Sequence, residues 1–323
     1  MKDLSVIIVY YKGLEKLTRC LKSLQDIEDN RLSFEVIVVD NMSDDGSREQ
    51  LIRQFPKFTF VSNSGNNGFA NGCNLGAEKS AGSFLLFLNP DTTVNADALY
   101  EMLEEVRARP DCSVVSCSQL REDGTLDRPY GKFLTILTLT GWLRAIHRFF
   151  SGNMKDLFSQ TENYIFPDWL SGSVIMISRK SFESIGKWDE DYWMYYEDVD
   201  LCRRAAGKNG EIVLLKKTVV GHTHGGSSRL NRKITVMTKT EVHKSRHVYI
   251  SKHERGARAF IMHLILILNN MVLGLLPALA GLLLFFVRRL SIVTLIYLCQ
   301  LQYYIKVLFK RTWLSERSVN YIK

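Results

Sequence analysis

The apolar run from Phe84 to Leu88 leads directly into Asn89-Pro90-Asp91, and this pattern narrows the possible folds more than any other in the chain. A short run of large apolar residues that ends at a proline turn is typical of a strand buried on both faces of a sheet. In open α/β sheets, ligands bind beyond the carboxyl ends of such strands. Asp91 is therefore expected beside a bound ligand, although Pro-Asp also forms ordinary turns.

Apolar runs at Leu4–Tyr11 and Phe34–Asp40 alternate with segments of helical spacing, and the pattern predicts an α/β, doubly wound sheet with nucleotide-binding character. The glycine- and asparagine-rich stretch 66–76 is expected to open a helix whose backbone N–H groups can approach a phosphate. Its spacing is neither that of a dinucleotide fingerprint nor that of a GxxxxGK[ST] loop. NAD and hydrolysed ATP are therefore disfavoured as ligands.

The composition is that of a globular protein, with 323 residues of which 46% are hydrophobic and 24% charged. The six cysteines form no CxxC pair, and this favours a reducing, cytoplasmic setting. The chain enters a predicted strand at Leu4, which leaves no room for a signal peptide.

The net charge of +8 is concentrated after Arg229. Residues 229–258 form a basic connector, and residues 259–323 form an apolar region expected to be helical. A basic segment beside an apolar one favours an anionic membrane surface over nucleic acid. Helices that dip into or lie on the cytoplasmic leaflet are preferred, because a two-span hairpin would place Arg288-Arg289 outside the cytoplasm. A two-span hairpin and a soluble hairpin buried in a homodimer stay open.

A further amphipathic, basic segment runs from Leu139 to Phe150 and carries Trp142. This pattern is typical of a helix at a membrane interface, but a helix packed on the core of its own domain would show it too.

Five stretches occur in an order that resembles glycosyltransferase family 2, in particular its bacterial rhamnosyltransferase-like branch. They are Val6–Tyr11, Val38–Ser47, Asn67–Gly72, Leu88–Asp91 and Tyr196–Leu201. The resemblance covers about residues 4–228 and implies a GT-A fold, a doubly wound mixed sheet that transfers a sugar from a nucleotide diphosphate with inversion. The expected catalytic domain is 1–228, with an insertion at about 119–165 near the acceptor and the membrane.

The resemblance also implies roles for single residues. Tyr11 and Asp40 would hold the nucleobase and its ribose, and Asn67 and Gly68 would lie along the ribose and diphosphate. The family's DxD motif has become Asn89-Pro90-Asp91, so Asn89 would face the donor.

Asp91 would bind Mg²⁺ or Mn²⁺ that bridges the two phosphates, as the single protein carboxylate on the metal. His222 or His224 could add a contact to the metal, with His222 preferred, although a structural histidine is nearly as good an interpretation.

Asp198 matches the family's catalytic base, which takes a proton from the acceptor hydroxyl. A helix N-cap is the alternative for Asp198. For Asp200, an ion pair with Arg204 is favoured over catalysis. The sugar and acceptor pocket is expected to involve Gly172, Ser173, Trp188, Asp189 and Glu197.

The predicted function is the transfer of one sugar from a dTDP- or UDP-sugar, with dTDP-rhamnose as a candidate, to a lipid-linked saccharide. This step would serve surface polysaccharide such as O-antigen at the cytoplasmic face of a bacterial inner membrane. The chain lacks Gln-x-x-Arg-Trp, the mark of processive family members, which favours single-sugar transfer. A nucleotidyltransferase and a non-catalytic, membrane-bound scaffold that binds sugar nucleotides are the alternatives.

Overall fold

The computed structural model describes residues 2–151, 162–223 and 231–321. The chain forms two compact units. The first comprises Met1–Phe133, Asp156–Glu190 and Glu197–Ser227, and the second comprises Leu134–Lys155, Asp191–Tyr196 and Ser228–Lys323.

The first unit is built on a mixed sheet. The strands, in chain order, are β1 (Leu4–Tyr10), β2 (Phe34–Asp40), β3 (Thr59–Ser62), β4 (Phe84–Leu88), β5 (Thr92–Thr93), β6 (Val114–Leu120), β7 (Tyr130–Gly131), β8 (Tyr164–Ile165), β9 (Trp169–Leu170), β10 (Val174–Ser178) and β11 (Ile212–His222). The order in the sheet is β3-β2-β1-β4-β10-β6-β11-β5, with β8 also on β11, while β7 and β9 pair separately. Strands β1 to β4 run parallel, and β10 is antiparallel to β4. The sequence-based prediction of a mixed α/β sheet is confirmed.

Helices cover both faces of this sheet. They are α1 (Leu14–Gln25), α2 (Ser47–Gln54), α3 (Phe69–Glu78), α4 (Ala96–Ala108), α6 (Arg179–Ser184) and α7 (Glu197–Ala206), while α5 (Gly141–Ser151) belongs to the second unit. Two glycines set the distance between α3 and the sheet, because a Cβ on Gly72 would lie 2.6 Å from Val9 and one on Gly76 would lie 2.5 Å from Ile7. These glycines of the 66–76 stretch therefore serve close packing of the helix.

The second unit is helical. It contains α5, α8 (Arg232–His253), α9 (Gly256–Leu268), a π-helical turn (Asn269–Leu273), α10 (Leu275–Leu283) and α11 (Arg288–Lys310). The stretches Gly256–Leu283 and Arg288–Lys310 are long and apolar enough to cross a membrane. Most of their surface is not covered by protein. On α5, Phe149 and Phe150 are 83% and 80% exposed.

Three details of the chain path matter for the site. Residues 168–177 are divided into β9 and β10, with Gly172 between them. Residues 212–222 form one strand whose register with β6 shifts between Leu215 and Val219. Helix α7 begins at Glu197, directly after Tyr195 and Tyr196, which have left-handed backbone angles.

Candidate active site

Asp91 lies where β4 has ended and the chain turns into β5. Strand β5 pairs antiparallel with the end of β11, so that Thr92 lies opposite His222. This pairing brings His222 Nε2 to 3.2 Å from Asp91 Oδ1. The backbone carbonyl of Asp91 also accepts a hydrogen bond of 3.0 Å from the amide of Thr223. The pairing of this two-residue strand with β11 therefore holds both the side chain and the backbone carbonyl of Asp91.

Two basic side chains, His222 and Lys16, face the Asp91 carboxylate. The Nζ of Lys16, in the first turn of α1, is 3.9 Å from Asp91 Oδ2. Burial acts to raise the pKa of Asp91, but the hydrogen bond and electrostatic interaction with His222, together with Lys16, outweigh it and lower that pKa. Asp91 is therefore an ionised carboxylate.

His222 is oriented by a fully buried glutamine. Its Nδ1 is 2.7 Å from Oε1 of Gln119, whose Nε2 donates to Ser173 Oγ over 2.8 Å. An amide oxygen can only accept, so the hydrogen on this imidazole lies on Nδ1. Nε2 of a neutral imidazole would then present a lone pair to the Asp91 carboxylate. Two acceptors 3.2 Å apart need a proton or a metal ion between them.

The chemistry of this pair fits a divalent cation. Adjacent ligands in an octahedral shell with bonds of about 2.1 Å lie about 3 Å apart, close to the separation of Asp91 Oδ1 and His222 Nε2. In residues 2–151, 162–223 and 231–321, no group of three or more His, Cys, Asp or Glu residues could hold a metal. The rest of the shell would come from phosphate and water oxygens. His224, the alternative ligand, lies outside the described residues.

Asp198 is the second residue of α7, so the N-cap interpretation was wrong. Its Oδ2 accepts a 3.0 Å hydrogen bond from the amide of Gly172, and its Oδ1 accepts one of 2.8 Å from Val199. Burial raises the pKa of Asp198 more than these hydrogen bonds lower it. The predicted ion pair of Asp200 is confirmed, with Arg204 Nε donating to Asp200 Oδ2 over 2.7 Å.

Glu197 is a buried carboxyl group beside Asp198. Its side chain is 7% exposed, and within the described chain its Oε2 has no hydrogen-bond partner. Burial, followed by the charges of Asp198 and Asp200, raises its pKa well above the ordinary value. Burial therefore favours the protonated form of both neighbouring carboxyl groups, Glu197 and Asp198.

The two residues before α7 have strained backbones. Tyr195 has φ of 71° and Tyr196 has φ of 69°, in the left-handed region that bulky residues rarely adopt. Each such residue costs on the order of 1–3 kcal/mol, and the conformation persists only where surrounding contacts impose it.

The residues predicted to hold the donor lie at the ends of β1 and β2 and at the start of α3. Asp40 Oδ1 accepts from the amide of Ser43 over 2.8 Å. Asn41 Nδ2 donates to the carbonyl of Gly68 over 2.8 Å, which ties the end of β2 to the start of α3. Tyr11 is 36% exposed, and Asn67 donates to Asn63 Oδ1 over 3.3 Å.

The residues predicted to form the acceptor pocket have different environments. Trp188 is 2% exposed and packs edge-on against Phe69 and Phe87. Ser173 is also buried, and its backbone carbonyl accepts from the amide of Asn89 over 2.8 Å. Asp189 is half-buried in the turn after Trp188.

The sequence-based reasoning missed three residues at this site: Lys16, Gln119 and Glu190. Glu190 accepts hydrogen bonds of 2.7 Å from Asn71 and from Asn74 on α3. All three lie far along the chain from their partners, and none belongs to a motif, so the sequence carries no signal that would have found them.

The sequence model described as "Glycosyl transferase family 2" matches residues 5–186 of this chain. The chain belongs to this family. A family 2 glycosyltransferase is an enzyme that transfers a sugar, and the matched range contains Asp40, Asp91 and Gly172.

Curated relatives of this glycosyltransferase have related activities. It is 28% identical over 217 residues to a low-salt glycan biosynthesis hexosyltransferase of Haloferax volcanii, covering 65% of this chain and 63% of that protein. It is 26% identical over 224 residues to the N-acetylglucosaminyl-diphospho-decaprenol L-rhamnosyltransferase of Mycobacterium tuberculosis, covering 64% of this chain and 71% of that protein.

The fold of this glycosyltransferase is similar to that of a mannosyltransferase from Pyrobaculum calidifontis, solved in complex with GDP-Man and Mn²⁺. The TM-score is 0.55 at 17% identity, and the match covers 83% of this chain and 72% of that one. The predicted GT-A fold is thereby confirmed.

Proposed function

We propose that this protein is an inverting, metal-dependent glycosyltransferase that adds one sugar to a lipid-linked saccharide. Asp198 is the proposed general base, and Asp91 with His222 is the proposed metal site. The proposed donor is a nucleotide-diphospho-sugar, with dTDP-rhamnose as the first candidate because relatives in this family include a rhamnosyltransferase.

The observation that carries this proposal is a continuous chain of contacts between the two carboxylates. The amide of Gly172 donates to Asp198, and the next residue, Ser173, bonds through Gln119 to His222, which faces Asp91. Gly172 and Ser173, which lie between β9 and β10, thus connect the proposed base to the proposed metal ligands. Inverting transfer requires a base and a leaving-group site held in a fixed relation on opposite sides of the reacting carbon.

Asp91 and Asp198 would have separate roles in the reaction. Asp91, ionised and faced by His222 and Lys16, would hold the cation. Mg²⁺ or Mn²⁺, when bound, supplies positive charge to the departing diphosphate. Asp198 would accept the proton of the acceptor hydroxyl, and its raised pKa makes it a stronger base than an ordinary aspartate. Burial raises the pKa of Glu197 beside it and favours its protonated form, so that Glu197 would add no second negative charge.

Several observations support a membrane-bound acceptor. Two stretches of the second unit are apolar enough to cross a membrane, and the exposed aromatic residues Phe149 and Phe150 lie on a basic, amphipathic helix of that unit. The rhamnosyltransferase relative is named for a diphospho-decaprenol substrate. We place the enzyme at the cytoplasmic face of a bacterial inner membrane, with residues 1–228 as its catalytic domain.

The test is a screen of dTDP-, UDP- and GDP-sugars for binding to, and hydrolysis by, the purified full chain, with and without Mn²⁺. Asp91→Asn and Asp198→Asn are measured alongside. Asp91→Asn is expected to abolish metal-dependent donor binding. Asp198→Asn is expected to bind donor normally and to lose turnover. Donor binding without turnover by the wild-type protein, with any acceptor supplied, would instead indicate a non-catalytic scaffold.

A further inference from the structure

The six residues 191–196 lead directly into α7 and its base, Asp198. They belong to the second unit, although the chain on both sides of them belongs to the first. They end at Tyr195 and Tyr196, whose left-handed backbones require contacts that impose them.

One turn of α8 holds the end of this segment. Ser245 Oγ donates to the carbonyl of Met194 over 2.8 Å, and Arg246 Nε donates to the hydroxyl of Tyr196 over 3.1 Å. The ring of Tyr196 packs on that of Tyr249, one helical turn further along α8, with centroids 5.7 Å apart. These contacts bracket both strained residues.

The start of the segment is held by the far end of α8 and by the C-terminal stretch. Lys252 Nζ is 2.5 Å from Asp191 Oδ2, and Asn320 Nδ2 donates to Asp191 Oδ1 over 2.8 Å. The guanidinium of Arg317 lies 5.1 Å from the ring of Trp193. The segment is therefore attached at several points to the second unit.

We infer that Ser245 and Arg246 are positioning residues for catalysis: by holding Met194 and Tyr196, they set the start of α7 and hence the direction of the Asp198 carboxylate. This inference rests on the proposed role of Asp198 as the base. A chain released from these contacts relaxes towards common backbone angles, and Asp198 is only two residues beyond Tyr196. The link from these contacts to the base is the covalent chain from Tyr196 to Asp198.

The test uses the full chain and the donor selected in the screen, with water as the acceptor and Mn²⁺ present. The variants are Ser245→Ala, Arg246→Gln and Tyr196→Phe, which keeps the ring against α8. Ser251→Ala is the matched control, because its hydroxyl donates to the carbonyl of His247 within α8. Each variant is also made in the Asp198→Asn background.

The positioning variants are expected to lower kcat by about tenfold to a hundredfold, the range that follows from displacing a catalytic group by about 1 Å. The donor KM should stay unchanged, because the donor site is untouched. Arg246→Gln combined with Tyr196→Phe should be no slower than the slower single variant, because both remove one contact. In the Asp198→Asn background these substitutions should cause no further loss.

Rates equal to that of Ser251→Ala would overturn the inference and leave the base assignment intact. A loss that persists undiminished in the Asp198→Asn background would overturn it as well, because the segment would then act on another step. Normal turnover by Asp198→Asn alone would remove the base assignment, and the inference with it.

Discussion

Gln119 offers a direct test of the proposed metal site, because it touches His222 without touching the metal position. It is fully buried, accepts from His222 Nδ1 over 2.7 Å and bonds to Ser173 Oγ. Gln119→Met has nearly the same volume and removes both hydrogen bonds. Ser173 Oγ retains a second contact, with Ser171 Oγ at 3.1 Å, so the main loss is the acceptor for His222.

The expected loss has two parts. A buried polar group that loses its partner destabilises the fold by about 1–3 kcal/mol. This corresponds to a fall in Tm of about 2–4 °C for each kcal/mol in a domain of this size. Removing the residue that orients a metal-binding histidine lowers metal affinity by about 10- to 100-fold. The Mn²⁺ concentration for half-maximal donor hydrolysis should rise by that factor, while the rate at saturating Mn²⁺ stays near that of the wild type.

Gln119→Glu is the matched variant, because a carboxylate still accepts from His222 Nδ1–H, and its Mn²⁺ requirement should stay within about tenfold of the wild type. The reasoning would be refuted if Gln119→Met and the wild type required the same Mn²⁺ concentration while Asp91→Asn had no activity. The hydrogen bond from His222 to Gln119 would then have no part in metal binding.

Three further predictions concern the base, its neighbour and the packing of α3. Asp198→Asn should lower kcat by at least about 100-fold, with donor affinity unchanged in a binding titration. Because the pKa of Glu197 is raised in the folded state, the wild type loses stability as pH rises above the ordinary value of 4.5. Glu197→Gln removes that loss, so its Tm should exceed the wild-type value by a margin that grows as the pH rises above 4.5 and vanishes at lower pH. Gly76→Ala should destabilise the fold by about 1–3 kcal/mol in thermal unfolding, because its Cβ would lie 2.5 Å from Ile7, whereas Gly141→Ala meets nothing within 4 Å and should not.

Much of the sheet could be predicted because its signal is local. The runs at β1, β2 and β4 are apolar along their whole length, and the observed bounds differ from the predicted ones by at most one residue. The short strand β5 could not be predicted, because two threonines carry no periodicity. Its existence depends on β11, which lies more than 100 residues further along the chain.

The candidate site could likewise be predicted only in part, because some of its features are local in sequence and others depend on distant residues. Motifs identified Asp91, Asp198 and His222 as candidates, but no motif could report that His222 faces Asp91 or that Gln119 orients it. Those contacts follow from the pairing of β5 with β11 and of β6 with β11. Trp188 is expected to help form the sugar and acceptor pocket; its ring is buried against Phe69 and Phe87, and its place in that pocket stays a prediction.

Asp91 and Asp198 are both aspartates, but their pKa values are shifted in opposite directions because different groups face them. Asp91 faces Lys16 and His222, and its pKa is lowered, so it attracts cations and is a poor proton acceptor. Asp198 is held by backbone amides in a buried place, and its pKa is raised. Neither environment is local in sequence, since the first is created by β11 and the second by the bend at Gly172. If Asp91 binds the metal and Asp198 accepts the proton, as proposed, the two roles depend on the strand pairing and on the bend at Gly172. They do not depend on the residue type, which is the same at both positions.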